Sequence, residues 1–310
     1  MNLLTFLLIN GPAVILNIVA NAFYIFCMVS PRCSSDRIKQ PLKILLGSLI
    51  CCTITCLVFF TVMFLFQLLG ESYMFIRTLN LVSLFCLCSS MTSSVWLNFF
   101  YCTQIVPAKR ALSIWIKNNI KPIIYSIWVI ERIYNLLGFT VMSLELVYFD
   151  EFEFSHNSTV DYVYSVYLAD IFFDVYIIMI SLEKAHFLFC LCVMVMSSGS
   201  TVAYLCRHMR RMTANGQAFF SSRFRGQVRV TITGILQGIL FMICAAWASY
   251  TYLAHMVLET NFKQDIYITV ANLYMLGTTF NLGAGQAVFR QKAADIWLRA
   301  TKVQQSEQGG

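Results

Sequence analysis

Basic residues are concentrated in four short stretches of this 310-residue chain, and long apolar segments separate those stretches. Eighteen of the 22 lysines and arginines, but only three of the 15 acidic residues, lie within residues 30–43, 107–121, 207–229 and 290–310. Short loops rich in Lys and Arg stay on the cytoplasmic side of a membrane protein. More acidic stretches alternate with them, near residues 70–77, 148–183 and 259–265. This alternation predicts a chain that crosses a membrane seven times and begins outside.

The composition supports a membrane protein. Hydrophobic residues make up 58% of the chain and charged residues 12%, whereas soluble domains contain roughly 25% charged residues. The net charge of +7 lies in the loops that flank the apolar segments, so it does not indicate nucleic-acid binding. The 12 cysteines form no C-x-x-C pair, which argues against a disulfide framework or a zinc module.

Seven segments are long enough to span a bilayer core of about 30 Å, which needs about 20 apolar residues in a helix. The predicted spans are residues 3–29, 42–69, 78–106, 122–147, 184–206, 230–257 and 266–289. No basic region precedes the first span, so we interpret it as a signal anchor and not a cleaved peptide. The expected fold is an all-α bundle of seven transmembrane helices, similar to a G-protein-coupled receptor. Residues 1–310 then form a single receptor domain with a cytoplasmic tail at 290–310.

Residues 162–182 resemble an eighth span but carry Asp170 and Asp174. An extra crossing would also place the arginine-rich stretch 207–229 outside. We therefore assign residues 148–183 to an extracellular loop. That loop contains Asn157-Ser158-Thr159, an N-glycosylation acceptor, on the side that the charges identify as external.

No enzyme motif is present in the chain. Span four carries adjacent Glu131 and Arg132, which are costly in lipid unless they face protein or water; a structural ion pair with other spans is one interpretation and a switch contact the other. His186 and Cys190 share a helix face at i,i+4. A metal site at this pair is one alternative, and we interpret the two residues as a rim histidine and a packed thiol. We predict no catalytic activity, no cofactor and no metal site.

The rhodopsin-like signatures are absent, because span three lacks an Asp-Arg-Tyr triplet and span seven lacks Asn-Pro-x-x-Tyr. Instead, residues 97–105 are similar to the L-S-x-F-Y-x-x-K-I-A pattern of the type 2 (bitter) taste receptors. Residues 204–212 resemble that family's S-L-x-K-H-x-K-K-M pattern at the end of span five. Residues 39–43 look like those of divergent fish or amphibian members. Departures include the absent span-two arginine and the absent Pro-x-x-His-Ser element of span seven.

This resemblance implies a plasma-membrane receptor for small bitter molecules that activates a heterotrimeric G protein, either gustducin or an inhibitory-class relative. Its N-terminus would be extracellular, its C-terminus cytoplasmic and its spans surrounded by membrane lipid. The vomeronasal type 1 pheromone receptors are a close alternative. A transporter or channel is an alternative of another class, and it predicts ionisable residues along a continuous path through the membrane.

A ligand pocket in such a bundle is expected between the helices of its extracellular half. The predicted pocket residues in spans three, six and seven are Phe85, Cys88, Ser89, Thr92, Trp96, Trp247, Tyr250, Ile268 and Asn272. Trp247 is expected to touch the ligand and to pack beside Trp96. The acids that a cationic ligand could use are Asp265 and Glu259 near span seven, and Glu145 and Glu183 at the tops of spans four and five. Attraction to aromatic faces alone is the alternative.

The intracellular ends of the spans are expected to face the G protein. The residues predicted for this surface are Tyr101, Gln104, His208, Arg210 and Arg211. In span six, Gly234 and Gly238 form a G-x-x-x-G pattern that favours packing inside the bundle over dimerisation. Residues 288–303 alternate apolar and basic residues, which predicts an interfacial helix with Phe289, Trp297 and Leu298 in the headgroups.

Overall fold

The computed structural model describes residues 2–29, 40–69, 73–108, 110–154, 159–214, 222–258 and 264–308, which form helices and no strand. The helices are α1 (Leu3–Val29), α2 (Leu42–Leu69), α3 (Tyr73–Ile105), α4 (Ala111–Asn118), α5 (Ile120–Phe154), α6 (Thr159–Ala214), α7 (Ser222–Leu258), α8 (Gln264–Gly285) and α9 (Ala287–Gln308). Seven of them, all except α4 and α9, correspond to the seven predicted spans, although α8 ends at Gly285 and the last residues of the seventh predicted span, 287–289, belong to α9.

These seven helices form a bundle around α3, which packs against α2, α5, α6 and α7, while α8 packs against α1 and α7. Within the described residues, six helices are apolar and long enough to cross a membrane: α1, α2, α3, α5, α6 and α7. Helix α8 is not among these six, and it contains the polar residues Thr269, Asn272, Thr278, Thr279 and Asn281. In lipid, polar groups must find partners inside the protein, so α8 depends on its neighbours.

A row of asparagines on α1 supplies those partners. Asn272 donates to the Asn10 side chain over 2.8 Å, and the Thr279 hydroxyl donates to the Asn17 side chain over 2.5 Å. Asn21 in turn donates to the Thr279 hydroxyl over 3.1 Å. Positions 10, 17 and 21 lie on one face of a helix because they are separated by seven and four residues. The polar residues Asn272 and Thr279 thus attach α8 to α1.

The predicted extracellular segment 148–183 is helical in its described residues. Helix α5 continues to Phe154, and α6 begins at Thr159 and runs without a break to Ala214. Residues 162–182 are therefore continuous with the helix of the predicted fifth span, and their extracellular position stays a prediction. The physical reason is that a helix satisfies its own backbone hydrogen bonds in water as well as in lipid. Charges mark where a chain leaves the membrane and not where its helix ends.

The two ends of the bundle are distinguished by their contacts. At one end α3 meets the α8–α9 junction through a hydrogen bond from Gln286 to the Tyr101 hydroxyl, and α6 meets α7 through the rings of His208 and Phe224, 5.6 Å apart. We call this the basic end. Arg290 lies there and donates to the Gly285 carbonyl at the end of α8. Partial burial lowers the pKa of Arg290, and the positive charge of Arg229 lowers it further.

The G-x-x-x-G pair of α7 is used inside the bundle, as the sequence indicated. A side-chain carbon at Gly234 would collide with the Asn98 amide of α3, and one at Gly238 would lie 3.3 Å from Met194 of α6. Asn98 itself donates to the hydroxyls of Ser197 and Ser198 on α6, at 3.1 and 2.8 Å. The small residues of α7 therefore leave room for a polar contact between α3 and α6.

The chain after α8 forms the expected helix, α9, but one of its predicted lipid contacts was wrong. Trp297 and Leu298 are exposed, whereas Phe289 is buried. The Phe289 ring stacks on Tyr24 of α1, with centroids 4.4 Å apart. The first turn of α9 thus belongs to the core of the basic end, because the close junction with α8 directs Phe289 towards α1.

Candidate ligand-binding site

Away from the basic end, a cleft lies between α3, α5 and α6. Its lining is mostly apolar and includes Phe85, Phe139 and Met142. The rings of Phe85 and Phe139 meet edge to face, with centroids 5.9 Å apart. Tyr134 and Glu183 are among the few polar side chains of this cleft. We call it the first cleft.

A second cleft lies between α3, α6, α7 and α8. Trp247, Tyr267 and Phe187 line it together with Cys244. Like the first cleft it is dominated by apolar and aromatic side chains, which is typical of sites for small organic molecules.

The two clefts meet at a contact between α3 and α6. The Cys88 thiol donates to the Glu183 carboxylate over 3.6 Å, and both residues line both clefts. Each cleft also holds a buried tyrosine hydroxyl, of Tyr134 in the first and of Tyr267 in the second, that has no hydrogen-bond partner among the described residues. Because buried polar groups are nearly always hydrogen-bonded, these hydroxyls and Glu183 are groups that a ligand could satisfy.

The clefts bring together only part of the predicted pocket. Phe85 and Cys88 line the first cleft, and Cys88 and Trp247 line the second. Tyr250 contacts the Trp247 ring at 5.9 Å but is itself half exposed. Their inclusion in a ligand site stays a prediction.

The other predicted pocket residues lie in the interior of the bundle, outside both clefts. Ile268 is buried in an apolar cluster with Phe60 and Met63, and Asn272 is bonded to Asn10. Thr92 is buried and donates to the Ser89 carbonyl of its own helix over 3.3 Å.

Trp96 of α3 contacts α5. Its indole N–H donates to the Glu131 carboxylate over 3.2 Å. The same carboxylate oxygen lies 3.1 Å from the His186 ring nitrogen on α6. Trp96 is buried because it fills the junction of α3, α5 and α6. It lies one helical turn from Thr92 on α3.

The neighbouring Arg132 makes a separate set of contacts. Its guanidinium donates to the Ser89 carbonyl and to the Ser93 hydroxyl, both over 3.0 Å, while Asn135 donates to the Ser89 hydroxyl over 3.3 Å. Glu131 and Arg132 both contact other spans, but Arg132 does so through neutral oxygen atoms, whereas the structural interpretation of this pair expected an ion pair. Among the described residues, Glu131 and Arg132 contact neighbouring helices and do not form a continuous polar path through the bundle.

The sequence prediction omitted Tyr134 and Tyr267 from the site. Tyr134 lies one turn after Glu131 on the same helix face, which is a usable signal once Glu131 is known to face the protein. Tyr267 carries no such signal, because nothing in its sequence neighbourhood separates a cleft tyrosine from a packing tyrosine.

At the basic end, a further cavity opens between α2, α3, α7 and α8. Its lining is more polar and includes Asn98, Tyr101, Gln237, Asn281 and Gln286. Asn281 donates to the Thr233 carbonyl over 2.6 Å and to the Gln237 side chain over 3.1 Å. These hydrogen bonds join α7 to α8.

The residues predicted to face a G protein all lie at the basic end. Arg210, Arg211 and Gln104 are exposed, whereas Tyr101 is bonded to Gln286. His208 lies between two rings, stacked on Tyr204 with centroids 6.0 Å apart and against Phe224. The predicted glycosylation site, Asn157, lies outside the described residues.

Comparison with known proteins identifies the family of the chain. The family model for taste receptor protein (TAS2R) matches residues 1–301. No curated protein matches the chain.

Proposed function

Because this chain belongs to the taste receptor (TAS2R) family of membrane receptors, we propose that it detects small bitter molecules in the two clefts that meet at Glu183. We further propose that it passes the signal to a heterotrimeric G protein at the basic end. The family match favours this function over that of a vomeronasal pheromone receptor.

One observation carries the proposed ligand site. Two apolar clefts share one carboxylate, and each holds a tyrosine hydroxyl without a partner in the described part of the chain. An apolar ligand with one cationic or hydrogen-bonding group suits such a site. Its carbon skeleton would fill a cleft, its cation would pair with Glu183 and the surrounding aromatic rings would add cation–π attraction.

The charge pattern supports the orientation of the receptor. The basic stretches that precede α2, α5 and α7 and follow α8 belong on the cytoplasmic side. The basic end then faces the cytoplasm, the clefts open towards the outside, and the acceptor at Asn157 is external. Membership of a receptor family supports a multi-pass protein of the plasma membrane.

The cavity at the basic end supports the proposed coupling. Helices α7 and α8 line this cavity, and Asn281 of α8 donates there to the Gln237 side chain of α7. Exposed Arg210 and Arg211 lie at the same end of the bundle, on α6. A ligand that binds the active arrangement better than the resting arrangement shifts the population between them. Separation of α6 and α7 from α3 would enlarge this cavity for a G protein, either gustducin or an inhibitory-class relative.

The experiment is a calcium-release assay in cells that co-express a promiscuous G protein, run with cationic and neutral bitter compounds and with pheromone-like steroids. Glu183→Gln should lower the potency of cationic agonists at least about tenfold, on the order of 1.4 kcal/mol, and leave neutral agonists nearly unchanged. Asp295→Asn, which removes an exposed carboxylate of α9, is the matched control.

Two results would contradict the proposal. One is a parent receptor that responds to steroids and to no bitter compound. The other is a Glu183→Gln variant that reaches the cell surface normally and keeps its potency for every cationic agonist. Surface expression is therefore measured for each variant.

A further inference from the structure

Three metal-binding side chains from two helices converge below the first cleft. Glu131 of α5 approaches His186 of α6, with 3.1 Å between the carboxylate oxygen and the ring nitrogen. The Cys190 sulfur lies 3.6 Å from that same nitrogen. All three ligand atoms lie within 4.8 Å of one another. His186 and Cys190 are one helical turn apart, so both face α5.

Two of these separations are close to those around a tetrahedral zinc ion. Zinc lies about 2.0–2.2 Å from nitrogen and oxygen ligands and about 2.3 Å from sulfur, so its ligands lie roughly 3.3 to 3.7 Å apart. The nitrogen–oxygen and sulfur–nitrogen distances of the cluster are at or near this range. Only small side-chain movements would be needed to place an ion between the three atoms.

An independent observation concerns the second oxygen of Glu131. The residue is 6% exposed, and both Trp96 and His186 contact its Oε1 atom. Its Oε2 atom is buried and has no hydrogen-bond partner in the described part of the chain. A buried carboxylate oxygen without a partner is costly, and a bound cation would compensate that cost.

We propose that Glu131, His186 and Cys190 bind a zinc ion in the middle of the bundle. The mixed sulfur, nitrogen and oxygen donors fit zinc, whereas Ca²⁺ and Mg²⁺ prefer oxygen ligands alone. Cys190 would bind as the thiolate and release its proton to the solvent, and a water molecule would complete the tetrahedron. The neighbouring Arg132 guanidinium is directed to Ser89 and Ser93 of α3, away from the three ligand atoms.

The first cleft provides a route for the ion. The Tyr134 ring lines that cleft and lies against His186, with ring centroids 4.8 Å apart. Glu183, one turn from His186 on α6, lines the same cleft and offers a carboxylate on the way in. A bound ion would join α5 to α6 directly. This metal site would be separate from the proposed site for organic molecules.

The test is a direct measurement of zinc binding to the purified, metal-stripped receptor in detergent, by competition with a chromophoric chelator. His186→Ala and Cys190→Ser should each weaken the tightest zinc site at least about 100-fold, a larger effect than the loss of an outer-shell partner. The matched control is Cys192→Ser, because Cys192 is an exposed thiol on the same helix that faces away from Glu131.

Two further measurements separate a lost site from a misfolded protein. Zinc should raise the melting temperature of the parent and of Cys192→Ser but not of Glu131→Gln, since a ligand of the folded state stabilises it. Co²⁺ in place of zinc should give a thiolate charge-transfer band that Cys190→Ser lacks. The zinc-free melting temperature of each variant reports whether it is folded.

The proposal is overturned if the folded His186→Ala variant binds zinc as tightly as the parent. It is also overturned if Cys192→Ser loses zinc as fully as Cys190→Ser, or if the parent binds no zinc. None of these measurements uses an agonist or a G protein, so they can fail or succeed independently of the proposed sensory function.

Discussion

The Trp96 indole nitrogen of α3 lies 3.2 Å from the Glu131 carboxylate of α5 and donates a hydrogen bond to it. A tryptophan that the sequence predicted for the ligand pocket therefore holds two helices together, and a carboxylate inside a membrane span obtains a partner.

Trp96→Phe should destabilise the receptor by about 1–3 kcal/mol, because it removes the indole donor from a buried carboxylate. The measurement is the apparent melting temperature of the purified receptor in detergent. Trp297→Phe, at an exposed tryptophan of α9, makes the same chemical change and should have little effect. Equal melting temperatures for the two variants would show that the Trp96 hydrogen bond contributes nothing to stability.

Thr279→Val should destabilise the attachment of α8 to α1. The hydroxyl of Thr279 serves both Asn17 and Asn21, and valine of nearly equal size leaves both amides without this partner, at a cost of about 1–3 kcal/mol. Thr140→Val is the control, since that exposed hydroxyl bonds only to the carbonyl of Leu136 in its own helix. The same thermal assay compares them, and a Thr140 effect as large as that of Thr279 would exclude a special role for the α1–α8 contact.

Asn157 should carry a glycan, because its stretch of chain is predicted to be external and the acceptor triplet is intact. Glycosidase treatment should increase the gel mobility of the parent, and Asn157→Gln should remove that shift. An epitope inserted at position 215 should be inaccessible to antibody on intact cells. Antibody binding there would reverse the proposed orientation.

Replacing Arg210 and Arg211 with alanine should lower signalling more than agonist binding, because the two exposed side chains lie at the end of the bundle away from the clefts. Calcium release, agonist binding and surface expression are measured together. The control replaces Arg299 and Lys302 of α9, which removes the same charge. Normal signalling by the Arg210 and Arg211 variant at normal surface level would remove these residues from the coupling surface.

Trp247→Ala should reduce agonist potency or efficacy at least about tenfold, on the order of 1.4 kcal/mol, because the indole lines the second cleft. If Trp247 serves packing alone, its truncation costs about 3–5 kcal/mol of stability and the variant does not reach the surface. Trp247→Phe separates the two roles because it keeps most of the packing. A Phe variant with normal expression and parental responses to every agonist would exclude Trp247 from the ligand site.

The sequence by itself determined the class of fold and the family. Runs of about 20 apolar residues are a local property that hydropathy reports directly, and the distribution of lysine and arginine predicts which ends of the spans share a side. The sequence did not determine where α5 ends or where α6 begins, because a helix can continue beyond the bilayer with no change in the distribution of charged residues.

Only the tertiary structure decided which way each side chain faces. In a soluble protein the apolar face of a helix identifies its buried side, but lipid is as apolar as the interior of a bundle, so this contrast is weak here. Hence Trp96, Ile268 and Asn272 could be placed on helices from the sequence but not assigned to cleft or core. Convergence of Glu131 with His186 and Cys190 likewise depends on how α5 and α6 are rotated against each other, which is set by packing between residues far apart in the chain.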